Sequence, residues 1–356
     1  MNPLLSASVS AASLENTRQL SRHLSRDVVE HSENYRVLTG DRPTGALHLG
    51  HYFGSLAERV RLQDLGVEVV VVIADYQVIT DRDSAGDIQN QVYGLALDYL
   101  AAGLDPERST IVTHSAVPAL NQLMLPFLSL ITEAELHRNP TVKAEAAASG
   151  RALSGLLLSY PVHQAADILF CKGNLVPVGK DNLPHVELTR TIARRFNERY
   201  REVFPVPQAL LTETPELPGL DGRKMSKSYR NSIPLRLSAD ETAELIRKTP
   251  TDSRRRISYD PQARPGVSAL LDTAAVCLGI SPQVLAEQIG DAGAGRLKQL
   301  ATEAVNERFA PFRARRRLLA EDPGTVRRVL ASGNAQANDQ ADRTLAQVRT
   351  AMDMDD

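Results

Sequence analysis

The chain has 356 residues, 42% of them hydrophobic, so it can bury a sizeable core and is long enough for about two domains. Its formal net charge of −2 excludes a polycation, so a nucleic-acid partner would have to meet a local basic face. The two cysteines, Cys171 and Cys277, form no CxxC pair, which argues against a disulfide framework and a structural zinc site. No signal-peptide pattern and no stretch of about 18 apolar residues is present, so we expect a cytoplasmic protein with no membrane partner.

Predicted strands and helices alternate as far as about residue 234. Residues 1–33 are rich in serine, alanine, arginine and glutamate, and we expect a helical or loose extension outside the core. The β-branched run 67–74 is typical of a strand buried on both faces of a parallel sheet. This alternation predicts an α/β protein with a doubly wound parallel sheet. The predicted strands are 36–39, 67–74, 109–113 and 175–178, and predicted helices begin near residues 46, 84, 118 and 183.

The pattern changes towards the C-terminus. Residues 205–222 contain several prolines and are predicted to be irregular. Ser238 with Glu241 forms a capping-box pattern, and Ser281-Pro282 is typical of a helix start. We therefore predict an extension at 1–33, a catalytic domain at 34–234 and an α-helical domain at 235–356, whose last helices can pack back on the catalytic domain. Four arginines are expected to form part of a phosphate-binding face, with a solvated helix side as the alternative: Arg313, Arg315, Arg316 and Arg317.

The segment 43–51 (PTGALHLGH) lies where a predicted strand turns into a helix. The N-terminus of a helix offers free N–H groups and partial positive charge, which favour a phosphate. Gly50 allows close approach of a nucleotide, and His48 and His51 share one helix face. Imidazole donors can stabilise charge that develops on phosphorus. The alternative is a plain helix start with two surface histidines.

The segment 224–228 (KMSKS) places two lysines on a short loop. Lys224 and Lys227 can neutralise the β- and γ-phosphates and the leaving pyrophosphate of a nucleoside triphosphate. The alternative is a solvated basic turn. Because this loop occurs together with segment 43–51, we predict ATP held for attack at its α-phosphate.

The pair resembles the HIGH and KMSKS signatures of class I aminoacyl-tRNA synthetases. Segment 160–169 (YPVHQAADIL) resembles the amino-acid pocket of the tryptophanyl branch, and 176–182 with 185–190 resembles its next conserved stretch. The motifs at 251–253, 259–261 and 265–267 also resemble that branch. The resemblance runs from about Tyr35 to the C-terminus.

This resemblance implies a Rossmann-type catalytic domain, an α-helical anticodon-binding domain, a homodimer, and ATP with Mg²⁺. It implies activation of L-tryptophan and its transfer to tRNA(Trp), with Asp167 accepting the indole N–H and Tyr160 contacting the polar end of the amino acid. His48, His51, Lys224 and Lys227 would be catalytic. The implied ATP-binding residues are Arg42, Thr44, Gly45, His48, Gly50, His51, Gly179, Asp181, Lys224, Met225, Ser226, Lys227 and Ser228. The implied amino-acid-binding residues are Leu38, Tyr160, Gln164, Asp167, Val176, Val178 and Asn182, and no protein metal site is implied.

The chain departs from the commonest pattern of the branch at three positions. Gln164 stands where methionine is usual, while Asn182 and Arg42 each stand where glutamine is usual. Tyr160, Gln164 and Asp167 also match a spacing of tyrosyl-tRNA synthetases, so tyrosine is the alternative substrate. A nucleotidylyltransferase and a non-catalytic synthetase paralogue are the alternatives from other classes.

Overall fold

A parallel sheet forms the centre of the molecule. The computed structural model describes residues 11–80, 86–149, 152–211, 217–226 and 229–355. The strands are β1 (Arg36–Asp41), β2 (Glu68–Ile73), β3 (Ser109–Thr113), β4 (Leu175–Val178) and β5 (Gln208–Leu211). They lie in the order β3-β2-β1-β4-β5, and every neighbouring pair is parallel. This order confirms the predicted doubly wound α/β class and places the switch in strand order between β1 and β4.

Strand β2 is buried on both faces, as its β-branched sequence predicts. Val69 and Val71 pack in one apolar cluster, whereas Val70 and Val72 pack in another. Successive side chains of a strand point to opposite faces of the sheet, so the two clusters are the cores on its two sides. None of these four valines is more than 4% exposed.

Helices cover both faces of the sheet, and the elements described after residue 234 are helices joined by irregular connections. No individual helix among the described residues is long and apolar enough to cross a membrane, although the bent pair Pro265–Leu278 and Pro282–Glu321 together would satisfy length and composition. The helices are α1 (Ala11–Glu30), α2 (Leu49–His51), α3 (Ala57–Asp64), α4 (Ile88–Ala102), α5 (Ala119–Leu128), α6 (Glu133–Arg138), α7 (Pro140–Ser149), α8 (Gly155–Phe170), α9 (Leu183–Arg199), α10 (Ala239–Arg247), α11 (Pro265–Leu278), α12 (Pro282–Ile289), α13 (Gly293–Glu321) and α14 (Pro323–Ala351).

Helix α1 packs on strand β5, and this contact corrects two expectations. The segment 205–222, predicted to be irregular, contains β5. The Ser21 hydroxyl accepts the Leu211 N–H (2.9 Å), and Leu24 and Val28 of α1 are buried in the core. The expectation that residues 1–33 lie outside the core is therefore wrong for this helix, which packs against the edge strand of the sheet.

Helix α14 packs back against strand β3 at the other edge of the sheet. Asn334 Oδ1 accepts the Thr113 N–H (2.9 Å), and the Thr344 hydroxyl donates to the Phe170 carbonyl (2.7 Å). A Cβ on Gly333 would lie 2.0 Å from the carbonyl oxygen of Ile111, so only glycine lets the helix backbone approach the strand this closely.

We expect Gly333→Ala to destabilise the fold by about 2 kcal/mol or more, because the added methyl group overlaps a backbone atom that cannot rotate away. The measurement is the free energy of unfolding in urea. Gly94 is the matched control, since it also lies inside a helix but an added Cβ there would meet no atom within 4 Å. Gly94→Ala should be neutral or stabilise by up to about 1 kcal/mol. Equal effects of the two substitutions would contradict the close packing of α14.

The expected four-arginine phosphate face at 313–317 does not hold. Arg313 donates to Asn306 and to Thr242 (2.7 and 2.9 Å). Arg315 donates to the Ala101 carbonyl (2.7 Å), and Arg316 forms an ion pair with buried Asp98 (2.6 Å). Three of the four guanidinium groups therefore hold α13 against its neighbours, because α13 lies on α4 and α10 and is not a free helix.

Candidate active site

The two sequence motifs meet beside the switch in strand order. Residues 42–51 follow the carboxyl end of β1, and Gly179 follows the carboxyl end of β4. Open α/β sheets bind ligands outside the carboxyl ends of their strands, at the switch in strand order. Gly45 has a φ of 114°, a left-handed conformation that suits glycine, and so turns the chain towards α2.

Helix α2 begins at Leu49, three residues after the expected start near Ala46. His48 occupies the N-cap position with an extended backbone (φ −124°, ψ 173°). After His51 the chain forms a π-helical turn, Tyr52–Leu56, before α3. Such widened turns are frequent at functional sites. The strand-to-helix transition is thus confirmed, with its start shifted because residues 46–48 form an extended connection.

The two histidines of the first motif lie against each other. Their ring centroids are 3.6 Å apart, and the His48 backbone N–H donates to His51 Nδ1 (3.1 Å). Because Nδ1 accepts this bond, a neutral His51 ring carries its proton on Nε2, which is then a donor. The main chain therefore sets the tautomer that a phosphate oxygen would require.

The lysine loop touches the first motif. A Cβ on Gly50 would lie 3.1 Å from the His48 ring and 3.4 Å from Met225 Sδ. The chain that follows the loop also pairs with the first motif, since the Leu49 N–H donates to the Ile233 carbonyl (3.0 Å). The structure thus brings together two segments that lie far apart in the sequence.

Asn231 organises the described part of the lysine loop, and sequence reasoning missed it. Its side-chain amide donates to Asp221 (2.7 Å) and to the Lys224 carbonyl (3.1 Å), while its oxygen accepts the Ser226 N–H (2.9 Å). Asn231 is only 4% exposed, and a Cβ on Gly219 would overlap it. Lys224 is solvent-exposed, whereas Met225 is buried. Lys227 and Ser228 lie outside the described residues.

A second group of polar residues that sequence reasoning missed holds the end of strand β1, directly before the first motif. Asp41, the last residue of β1, accepts bonds from Arg59 (2.6 Å) and from the Tyr99 hydroxyl (2.6 Å). Burial by itself would raise the pKa of Asp41, but Arg59 outweighs it, and the pKa lies well below its usual range. Arg59 is 2% exposed, and its ion pair with Asp41 fixes the end of β1 next to segment 43–51.

Polar groups of the predicted amino-acid pocket lie on α8 and around it. Tyr160 contacts His185 Nε2 through its hydroxyl (3.2 Å), and burial followed by the nearby Glu145 carboxylate raises its pKa. Arg42, which stands where glutamine is usual, forms an ion pair with the same Glu145 (3.4 Å). The residue directly before the first motif is therefore linked to the predicted pocket. Gln164 is half-buried on the same helix.

Asp167 is the buried carboxylate of this helix. It is 3% exposed and lies among apolar residues, as its sequence neighbours predict. Its Oδ1 accepts a hydrogen bond from His114 Nε2, a partner that sequence reasoning did not identify. The predicted apolar pocket residues are Leu38, Val176 and Val178, and all three are buried. They pack in the same apolar cluster as the residues that flank Asp167.

The remaining predicted nucleotide residues lie near the strand ends. The Thr44 N–H donates to the Arg42 carbonyl (2.8 Å), which tightens the turn after β1. Gly179 caps a short 3₁₀ turn, and Asn182 is an exposed residue at the start of α9. The side chain of Asp181 lies outside what the structure describes.

Comparison with known proteins decides the family. The family model for class I tRNA synthetases specific for tryptophan and tyrosine matches residues 30–310. The chain belongs to this family. It is 42% identical over 330 residues to the tryptophan–tRNA ligase of Treponema pallidum, which covers 89% of this chain and 96% of the relative. The corresponding ligase of Streptococcus pyogenes serotype M1 is 41% identical, covering 89% of this chain and 97% of the relative.

A solved relative agrees in structure. Tryptophanyl-tRNA synthetase from Campylobacter jejuni, complexed with ADP and tryptophan, superimposes with a TM-score of 0.79 at 30% identity, covering 89% of this chain and 99% of that one. Membership of the family makes the protein an aminoacyl-tRNA synthetase. It decides against the nucleotidylyltransferase alternative, because the family model matches residues 30–310 and not the first motif alone.

Proposed function

We propose that this synthetase is a tryptophan–tRNA ligase that activates L-tryptophan with ATP and transfers it to tRNA(Trp). In the first step the tryptophan carboxylate attacks the α-phosphorus of ATP, pyrophosphate leaves, and tryptophanyl-adenylate stays bound. In the second step a hydroxyl of the terminal adenosine of the tRNA attacks the acyl carbon and AMP leaves. The observation that carries this proposal is the contact between the two nucleotide motifs near a pocket whose buried carboxylate can accept an indole N–H.

The chain's own groups would act by binding and by charge stabilisation. His48, Gly50 and His51, with Thr44 and Gly45, would hold the nucleotide at the start of α2, where Gly50 has no side chain to keep the nucleotide away from the backbone. Arg42, Gly179 and Asp181 would border the same ligand. Lys224 and Lys227, with the flanking residues Met225, Ser226 and Ser228, would stabilise charge on the leaving pyrophosphate. No covalent nucleophile is needed in this scheme.

Mg²⁺ fits this scheme as a companion of ATP. Among the described ranges no group of three or more histidine, cysteine, aspartate or glutamate side chains is placed to hold a metal ion. Mg²⁺ is commonly bound through substrate phosphates and water with few protein ligands. When bound, it would neutralise phosphate charge, while the lysines and histidines orient the nucleotide.

The pocket favours tryptophan over tyrosine. Asp167 is an acceptor in apolar surroundings, which suits the indole N–H, and Leu38, Val176 and Val178 would face the indole ring. Tyr160 and Asn182 would contact the polar end of the amino acid. Gln164 is the residue that would suit a phenol.

The direct test is ATP–pyrophosphate exchange across a panel of amino acids, and we expect exchange with tryptophan to be fastest. Exchange that depends on no amino acid would overturn the proposed function.

We propose that the protein is a homodimer, as the family resemblance implies. A tRNA must reach both the catalytic site and an anticodon-binding site far from it, and two subunits offer a surface long enough for it. Sedimentation equilibrium should give twice the monomer mass of 38.9 kDa. A monomer at micromolar concentration that charges tRNA fully would contradict this prediction.

A basic segment of the helical domain offers a tRNA-binding surface in place of 313–317. Arg254, Arg255 and Arg256 are all exposed on one short connection. Buried Arg264 braces this connection, since it donates to both carboxylate oxygens of Asp252 (2.7 and 2.8 Å) and to the Arg256 carbonyl (2.8 Å). Arg255 also donates to the Asp291 carbonyl (2.9 Å), and Arg256 lies 3.8 Å from the Asp291 carboxylate, but all three arginines are exposed. A braced loop with exposed cations suits the phosphates of an RNA backbone.

We expect the double substitution Arg254→Glu, Arg255→Glu to weaken tRNA binding and to reduce the slope of log affinity against log salt by roughly two, about one for each lost phosphate contact. Amino-acid-dependent pyrophosphate exchange should not change. The control is Arg194→Glu, Arg201→Glu, which makes the same charge change on exposed residues, one in α9 and one just after its end. Similar salt slopes in all three proteins would show that the loop arginines are only solvated.

A further inference from the structure

The specificity carboxylate of the pocket has a histidine partner. His114 comes directly after β3 and has no measurable exposure, and its Nε2 donates to Oδ1 of Asp167 on α8. A carboxylate only accepts hydrogen bonds, so the histidine must be the donor. One of the two oxygens of Asp167 is therefore already engaged before a substrate arrives.

His114 is held in place from two sides. Its ring stacks on that of His163, with centroids 4.3 Å apart and an interplanar angle of 21°. The next residue, Ser115, donates its N–H (2.9 Å) and its hydroxyl to Asp75, which follows β2. Stacking and the anchored neighbour together restrict the imidazole to the orientation that faces Asp167.

We propose that His114 is a positioning residue for substrate recognition: it engages Oδ1 of Asp167, orients the carboxylate, and leaves Oδ2 as the acceptor for the indole N–H. This inference rests on the proposed function. An unpaired carboxylate in apolar surroundings is costly, and without His114 Asp167 would turn towards any available donor. With one oxygen satisfied, the carboxylate can accept one further N–H in a fixed direction.

The electrostatics of the cluster agree with this geometry. Burial by itself would lower the pKa of His114, but the charge of Asp167 outweighs burial, and the pKa lies above its ordinary value. Burial lowers the pKa of His163, which stacks on it. Of the two stacked rings, that of His114 therefore holds a proton more readily, and this proton strengthens the hydrogen bond to Asp167.

The test compares tryptophan with 3-benzothienylalanine, which has nearly the same shape but no ring N–H. The readout is the ratio of kcat/KM for the two amino acids in adenylate formation. His114→Phe keeps the stacked ring but removes the donor, and we expect the ratio to fall at least about tenfold, mainly through KM for tryptophan, with KM for ATP unchanged. His114→Gln, which retains an N–H donor, should recover most of the ratio. His163→Phe, which keeps a ring stacked on His114, is the control for disturbed packing and should keep the wild-type ratio.

Equal losses for both amino acids in His114→Phe would overturn the inference, because they indicate a merely structural role. If that variant does not fold, ¹⁵N-histidine NMR of the wild type tests the same hydrogen bond directly. The inference requires His114 Nε2 to stay bonded to Asp167 when tryptophan binds, and release of His114 by tryptophan would refute it. Failure of the wild type to activate tryptophan at all would instead contradict the proposed function.

Discussion

Lys224→Ala is expected to slow adenylate formation by about 10²–10³ while leaving amino-acid binding nearly intact. Lys224 is exposed on a loop whose backbone is bound by Asn231 and whose Met225 touches the first motif. Its ammonium group is therefore presented close to where the phosphates would lie. Stabilisation of charge that grows as pyrophosphate leaves lowers the barrier more than it strengthens ATP binding, so kcat should fall. Lys227→Ala should act in the same direction.

Arg223 provides the matched control for this prediction. It is the neighbouring cation, but its guanidinium forms an ion pair with Asp221 (2.6 Å) and lies over the Tyr229 ring (4.8 Å). Arg223→Ala should leave the rate of adenylate formation within a few-fold of the wild type. Rapid-quench measurement of adenylate formation separates rate from affinity. Weaker ATP binding at an unchanged rate in Lys224→Ala would rule out a transition-state role.

The central sheet is predictable because its strands have local signals. The run 67–74 is apolar and β-branched, and segments 109–113 and 175–178 coincide with β3 and β4. Strand β5 has only four residues after a proline-rich stretch, so its strand signal is weak and its pairing with β4 decides its structure. The burial of α1 had a partial signal, since Ser21, Leu24 and Val28 lie on one helix face, but only β5 shows what covers that face.

The two site motifs are also predictable, whereas the groups that hold them are not. The motifs are short and consist of residue types with definite chemistry. Their supports are contacts across the sequence: Asp41 with Arg59 and Tyr99, Asn231 with the lysine loop, and His114 with Asp167. The local sequence around each supporting residue does not distinguish it from any other polar residue. Only folding brings it next to its partner and satisfies its hydrogen bonds.

Asp167→Ala is expected to lower kcat/KM for tryptophan by roughly 10² and to remove much of the preference for tryptophan over phenylalanine. A site that hydrogen-bonds a substrate N–H rejects analogues without it because the buried acceptor stays unpaired. Removal of the carboxylate abolishes that penalty for phenylalanine. It also deprives His114 of its partner, so unfolding must be measured alongside to separate a lost fold from lost selectivity. Steady-state pyrophosphate exchange with the two amino acids gives the ratio.

Gln164→Met separates the two possible substrates in the same pocket. Gln164 lies one helical turn before Asp167 on α8 and stands where methionine is usual in the tryptophanyl branch. If the indole N–H binds Asp167, the methionine variant should retain tryptophan activation and lose activation of tyrosine, since a thioether is a poor partner for a phenol hydroxyl. A wild-type enzyme that exchanges pyrophosphate faster with tyrosine than with tryptophan would show that the substrate assignment is wrong. The family assignment would stand, because it rests on the match over residues 30–310 and not on this pocket.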